Sequence, residues 1–238
     1  MYVELTGSGK ATHVKKTLYL FICFAISSFF LTARAQVSVV TSAPSTTNTL
    51  NWSVLGSAYT AVSNPFTATS AGGTTVTGTF AGTGGGQQIR QQGDGWDGNF
   101  SPNDYVLWSA GNGPLTLSFN QAVSLAGAQI QSDAYGAFNA TIQAYDGATL
   151  LGTFTVTDGD STSAGDGSAI FLGVQDLSGS LITSITFNIS GTGLNNDFAI
   201  DTLDLVNAKS ITPEPASIFL FGSGLLGIAF FARRVLVR

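Results

Sequence analysis

The residues able to do chemistry are few and nearly all of one kind. Between positions 36 and 212 stand twelve Asp, with Arg90 and Lys209 as the only cations, a formal charge of −10. His13, Cys23 and Met1, each the only one of its type, precede that stretch, and it contains no Glu. No cysteine nucleophile, Ser-His-Asp relay, imidazole base or His/Cys zinc site can be built there. Nucleic acid is an equally poor partner, because neutralising phosphates needs clustered Lys and Arg. Paired aspartates are the one acid–base device left. Asp94 with Asp97, or Asp201 with Asp204, would have to act as acid and as nucleophile or base in a carboxylate-only glycosidase. Nothing in the sequence raises one carboxyl while fixing the other, so the chain is expected not to be an enzyme.

Binding chemistry has more to work with. Asp158 and Asp160, followed by Asp166-Gly167, offer hard oxygens to a calcium ion. They lack the bidentate Glu of an EF-hand, and Asp-Gly turns are common without any ion, so a plain hairpin loop is the competing reading. Asp201 lies in phase with Ala199, Leu203 and Leu205 along 198–205. A carboxylate facing a core needs a partner: backbone N–H groups, Arg90, or a structural Ca²⁺. The stretch 87–100 (QQIRQQGDGWDGNF) is the densest polar-aromatic segment. Trp96 would be a flat platform for a sugar ring, with Gln92, Asp94, Asp97 and Asn99 bonding hydroxyls. The alternative is that Trp96 and Phe100 anchor a long loop onto the domain.

The elements that must position these groups read as strands. Phe138, Ala140, Ile142 and Ala144 share one face, against Asn139, Thr141, Gln143 and Tyr145. Leu150, Gly152, Phe154 and Val156 alternate in the same way, as do Ile185, Phe187 and Ile189. Period-two alternation means strands with one buried and one wet face. The run 169–174 (AIFLGV) is apolar on both faces and expected to be central. Asp146-Gly147, Asp158-Gly159-Asp160, Asp166-Gly167, Ser178-Gly179 and Gly191-Thr192-Gly193 read as turns. The pattern predicts an all-β, antiparallel β-sandwich, jelly-roll-like, of roughly ten to twelve strands over 36–207. A domain of that size buries enough surface to need no disulfide.

The two ends read as addresses. Lys10, Lys15 and Lys16 precede an apolar stretch, 18–31, and Ala33-Arg34-Ala35 then fits a cleavage site that leaves Gln36 first. Residues 1–35 are thus a signal peptide; an uncleaved helix would be short for a span. A compact leader starting at Val14 is also compatible with the sequence. After a linker at 208–212 come Pro213-Glu214-Pro215, an apolar run 216–232, and Arg233-Arg234. Seventeen helical residues reach about 25 Å, enough for a thin bilayer. The arginines hold the tip in the cytoplasm, leaving the preceding domain outside.

Residues 213–238 resemble the PEP-CTERM sorting signal of Gram-negative bacteria: a Pro-Glu-Pro motif, one short transmembrane helix and a basic tip. The resemblance implies export through the general secretion machinery and recognition by exosortase, a membrane protease thought to remove the tail. It implies a membrane-anchored precursor and a mature protein at the cell surface or in an exopolysaccharide-rich biofilm matrix. Segments from Gly95 to Asp201 are similar to a recurrent group of cargo domains of that system: 95–100 (GWDGNF), 117–119 (LSF) leading into Val123, 127–131 (GAQIQ), 138–144 (FNATIQA), 168–174 (SAIFLGV) and 197–201 (DFAID). That likeness supports the fold and brings no activity with it. The function expected is a non-catalytic surface or matrix protein. A calcium-dependent carbohydrate-binding module is the alternative.

Overall fold

Where apolar and polar residues alternate, the chain is extended. The computed structural model describes residues 37–178, 181–191, 196–208 and 224–225. Phe138, Ala140, Ile142 and Ala144 are all buried, as are Ile185, Phe187 and Ile189. Fourteen strands form in these residues. In chain order they are β1 (Val37–Val40), β2 (Asn48–Leu50), β3 (Phe66–Thr69), β4 (Thr75–Phe80), β5 (Gln88–Gln92), β6 (Gly95–Trp96) and β7 (Tyr105–Trp108). They continue as β8 (Leu115–Ser132), β9 (Gly136–Asp146), β10 (Thr149–Ser161), β11 (Ile170–Asp176), β12 (Ile182–Ser190), β13 (Phe198–Ile200) and β14 (Leu203–Asn207). The shortest, β2, β6 and β13, are two or three residues long and carry no readable period, which is why the pattern predicts fewer.

Among the described residues the fold is β apart from one helical turn at Trp52–Leu55, as expected of an all-β domain, but its strands make one hydrogen-bonded sheet rather than two separate layers. The 18-residue β8 is the reason. Its first part pairs with β4 and β12, and its later part with β11, β14 and β13. Register slips on both of its edges near Val123, where Ile182 and Asn207 both pair. A strand that bends or bulges partway can run from one layer of a β structure into the next, and strand twist curls the rest. The curled sheet closes over one apolar cluster, which includes Trp52, Phe66 and Phe187 together with Leu172, Leu203 and Leu205.

Two sequence expectations shift in register. Leu150 is exposed and Leu151 packs against the core instead, because a bulge between Leu150 and Gly152 reverses the phase of β10. Asp158-Gly159-Asp160 is not a turn but part of β10. Gly159 stands there for space: a Cβ on it would sit 2.7 Å from the Phe138 ring.

Among the described residues no helix is long and apolar enough to cross a membrane. The expected span 216–232 lies outside them apart from Gly224 and Leu225. So do the cleavage site at Ala33, Ala35 and Gln36, the motif Pro213, Glu214 and Pro215, and Arg233 and Arg234.

Candidate functional site

The sheet formed by β5, β7, β13, β8 and β11 buries both of its sides. On the inner side Ile89, Leu107 and Ile200 join the main core. On the outer side Trp96, Phe100, Val106, Ala169 and Ala199 form a second cluster, with Trp108 packed against it. The segment after β5 folds over this outer side and is held by amides. Gln92 clamps Gly98 twice, donating from Nε2 to its carbonyl (3.0 Å) and accepting its N–H at Oε1 (3.1 Å). Gln131 Oε1 accepts from the Asn99 N–H (2.7 Å), while its Nε2 donates to Asn99 Oδ1 (2.8 Å), Ser161 Oγ (2.7 Å) and the Thr162 carbonyl (3.1 Å). Asn99 Nδ2 donates in turn to Thr162 Oγ1 and Ser168 Oγ. Gly98 is required by this closeness, since a Cβ would lie 2.3 Å from Gln131 Oε1.

This geometry corrects the sugar platform drawn from the sequence. Trp96 is only 6 % exposed, tilted against Phe100 at 6.1 Å, with its Nε1 directed at Gln131 Oε1. Gln92 and Asn99 are buried and spend their amides on the protein itself. The alternative, a loop anchored by its aromatics, matches the contacts. Asp94 and Asp97 remain on the surface, where the Tyr135 hydroxyl donates to the Asp97 carbonyl at 2.9 Å.

Asp201 is buried along with Ala199, Leu203 and Leu205, as its phase predicts, but not within a continuous strand. Phe198, Ala199 and Ile200 are all buried, and the strand breaks at Asp201. There the carboxylate stands in for a missing ladder acceptor: the Gln129 N–H donates to Asp201 Oδ1 (2.9 Å), and the Asp201 N–H to the Gln129 carbonyl (3.1 Å). The Asp201 carbonyl accepts from Trp52 Nε1. Of the three partners considered, backbone N–H is the one found; the Arg90 guanidinium is stacked elsewhere. Burial pushes the Asp201 carboxyl well above the usual range, opposed by the Gln129 hydrogen bond and reinforced by the charges of Asp104 and Asp204. Burial also raises the half-buried Asp204.

Among the described residues no three Asp, Glu, His or Cys side chains gather as a metal site. Asp158 and Asp160 point outward from β10. Asp166 lies in the following loop, where hydrogen bonds from the side chain and backbone of Ser168 hold its carboxyl below the ordinary value.

One constellation escapes sequence reasoning. The Arg90 guanidinium lies between two rings, 4.8 Å from the centre of Tyr59 and 4.7 Å from that of Trp108. Trp108 Nε1 donates to Asp197 Oδ1 at 2.8 Å. Arg90 Nε is buried without a hydrogen-bond partner among the described residues. Burial and the nearby Asp197 charge raise the Asp133 carboxyl, while Arg90 pulls it down. The register of β5 on β7, Gln88 opposite Trp108 and Arg90 opposite Val106, makes the stack possible. The only signal in the sequence is that Arg90 is the single cation between 36 and 207. The cluster is a cation–π ledge beside two carboxylates and contains no nucleophile–base pair.

Comparison with known proteins bears on the other end of the chain. No curated protein matches it. Residues 212–234 match the family described as the PEP-CTERM protein-sorting motif. The match spans Pro213-Glu214-Pro215, the apolar run and Arg233-Arg234, so this chain carries the PEP-CTERM signal of an exported, membrane-anchored precursor that exosortase processes.

Proposed function

We propose that the β domain is a non-catalytic surface or extracellular-matrix protein of a Gram-negative biofilm, delivered by the general secretion machinery and released or attached after exosortase acts on its tail. The observation that carries this reading is the sorting motif at 212–234. The domain's own chemistry supports it. Among its aspartates, Asp94 and Asp97 are on the surface, and Asp201 is buried and bonded to backbone. Neither arrangement supplies an acid and an ionised base facing one substrate. Association with exopolysaccharide would then come from many weak contacts along a Thr-, Asn- and Asp-rich surface rather than from a pocket.

The intact mass of the native protein, with both termini sequenced, tests the reading. Ends at Gln36 and near Pro215 are expected in cells that make exosortase, and an intact tail in cells from which it has been deleted. An Arg233-Arg234 tail that survives in both would overturn it. Retention on the organism's purified exopolysaccharide, compared with an unrelated acidic domain, tests the matrix role separately.

A further inference from the structure

The described domain begins and ends in one row. Val37 pairs with Asp176 on β11, the adjacent Gln175 pairs with Leu125 on β8, and Leu125 pairs with Val206 on β14. Three strand spacings separate Val37 from Val206, about 15 Å. The turn between β9 and β10 comes to the same pole, for the Gly147 N–H donates to Thr183 Oγ1 at the start of β12. Three leucines stand exposed there: Leu150 at 50 %, Leu177 at 56 % and Leu181 at 37 %. Two acids lie there: Asp146 is half-buried in the turn beside Leu150, and the other is turned away from solvent. Asp176 is buried and accepts from the Ser178 N–H, the Ser178 hydroxyl and the Leu181 N–H, closing the turn that carries two of these leucines.

Charge collects at the other pole. Ten residues of β9, about 33 Å of strand, lead from Asp146 to Gly136. Asp133 adjoins that far end, and Asp160, paired with Ala137, lies there too. Asp197 hydrogen-bonds the Asp133 N–H, and Asp94, Asp97 and Asp166 sit on the covered outer side near Gln131 and Asn99. Exposed carboxylates are therefore concentrated at the pole opposite the one where β14 ends, and the latter carries the three leucines and the half-buried Asp146.

We propose that the Leu150–Leu177–Leu181 pole rests on the lipid surface of the membrane in the anchored precursor, with the acidic pole pointing away. This rests on the reading of 216–232 as the membrane anchor. Only eight residues, 208–215, separate β14 from that run, and fully extended they span at most about 28 Å. The end of β14 therefore stays within about 28 Å of the start of the anchor. Three exposed leucines, whose neighbouring acids Asp146 and Asp176 are half-buried and buried, suit the headgroup–acyl boundary, whereas the acidic pole would be repelled by anionic lipid.

The test uses the full chain with Cys23→Ser, carrying Leu177→Cys or Tyr135→Cys labelled with an environment-sensitive dye. The protein is reconstituted into phosphatidylethanolamine–phosphatidylglycerol vesicles containing a nitroxide lipid. Co-flotation reports the anchor, and quenching reports the pole. Quenching at 177 at least about threefold that at 135 is expected, as is its fall to the level at 135 when Leu150→Asp and Leu181→Asp are added with co-flotation retained. Equal, weak quenching at both positions in co-floating protein would overturn the proposal and leave the anchor standing. A blue-shifted, self-quenched label at 177 that ignores the nitroxide lipid would overturn it in favour of a second copy of the chain. Failure to co-float would remove the anchor reading and this proposal with it.

Discussion

The inner and outer sides of the sheet around β8 are both dry, yet they are built from different materials. Inside, Ile89, Leu107, Ile130 and Ile200 meet apolar residues from every part of the curled sheet. Outside, a small aromatic cluster is sealed by Gln92, Asn99 and Gln131, whose amide groups bond to one another and to backbone. The inner side can reshuffle volume among neighbouring side chains. The outer side cannot, because each amide has both donors and acceptors committed, and one loss orphans several buried groups. Stability should therefore depend on the inner side through volume and on the outer side through hydrogen-bond matching.

Phe187→Ala should produce the largest effect. Phe187 is fully buried between β9 and β8, and its removal should cost about 3–5 kcal/mol, lost transfer energy plus a cavity. Urea unfolding followed by tryptophan emission would read it as a lowered midpoint. Phe187→Leu should recover much of the loss, since near-conserved volume is what the inner side asks for.

Gln131→Leu inverts that logic. It roughly keeps volume and adds apolar character, yet leaves the Asn99 N–H and Trp96 Nε1 without the acceptor they share, while Asn99 Oδ1 and the Ser161 hydroxyl keep the Thr162 N–H and the Ser132 carbonyl. A loss of about 2–3 kcal/mol is expected, at about 1–3 kcal/mol for an orphaned buried group offset by the leucine's own burial. Hydrogen exchange should rise first across 93–104 and 162–168 while β9 and β12 stay protected. A uniform rise across the sheet would show that the outer side is not a separate unit.

The same contrast explains what was legible in the sequence. Phe138, Ala140, Ile142 and Ala144 announce an inner face because period two is a local property of a strand. Trp96 and Gln92 look like a binding surface because nothing local says that residues 161–169 will cover them. Asn99 touches Thr162 and Ser168, more than sixty positions away. The break at Asp201 was hidden for another reason: Ala199, Leu203 and Leu205 keep a perfect alternation straight through a residue at which the strand stops. The sorting signal needed no tertiary context at all, since its three parts are contiguous in the chain.

Asp201→Asn probes a carboxylate buried at the break between β13 and β14. Its folded-state titration is raised by burial, so the folded chain holds this proton more tightly than the unfolded one. The stability that Asp201 contributes is full below its unfolded value near 3.8 and is lost as pH rises through the folded value. Asparagine keeps an Oδ1 for the Gln129 N–H and has no charge to bury. The variant should be more stable than the parent at neutral pH, and the advantage should vanish as pH drops below 3.8. Each pH unit between the folded and unfolded titrations adds about 1.4 kcal/mol to that gap. Thermal melts of both proteins across the acid range measure it, and a pH-independent difference would mean the carboxylate is neutralised by a partner not yet identified.

Arg90→Ala should have the smallest effect on stability and the most specific one on charge. The guanidinium lies over Tyr59 and Trp108 at the margin of the outer cluster, where Tyr59 is largely exposed. Exposed cation–π contacts contribute about 0.5–1 kcal/mol, so a loss near 1 kcal/mol is expected, well below that for Gln131→Leu. Its sharper consequence falls on Asp133, whose carboxyl is raised by burial and Asp197 and lowered only by Arg90. Without Arg90 the Asp133 titration should move further upward, while exposed Asp166, held low by Ser168, should not move. Carboxyl carbon chemical shifts followed across the acid range distinguish the two. If Asp133 stays where it was, the guanidinium serves the rings alone, and the ledge belongs with the packing of the outer cluster rather than with its charge.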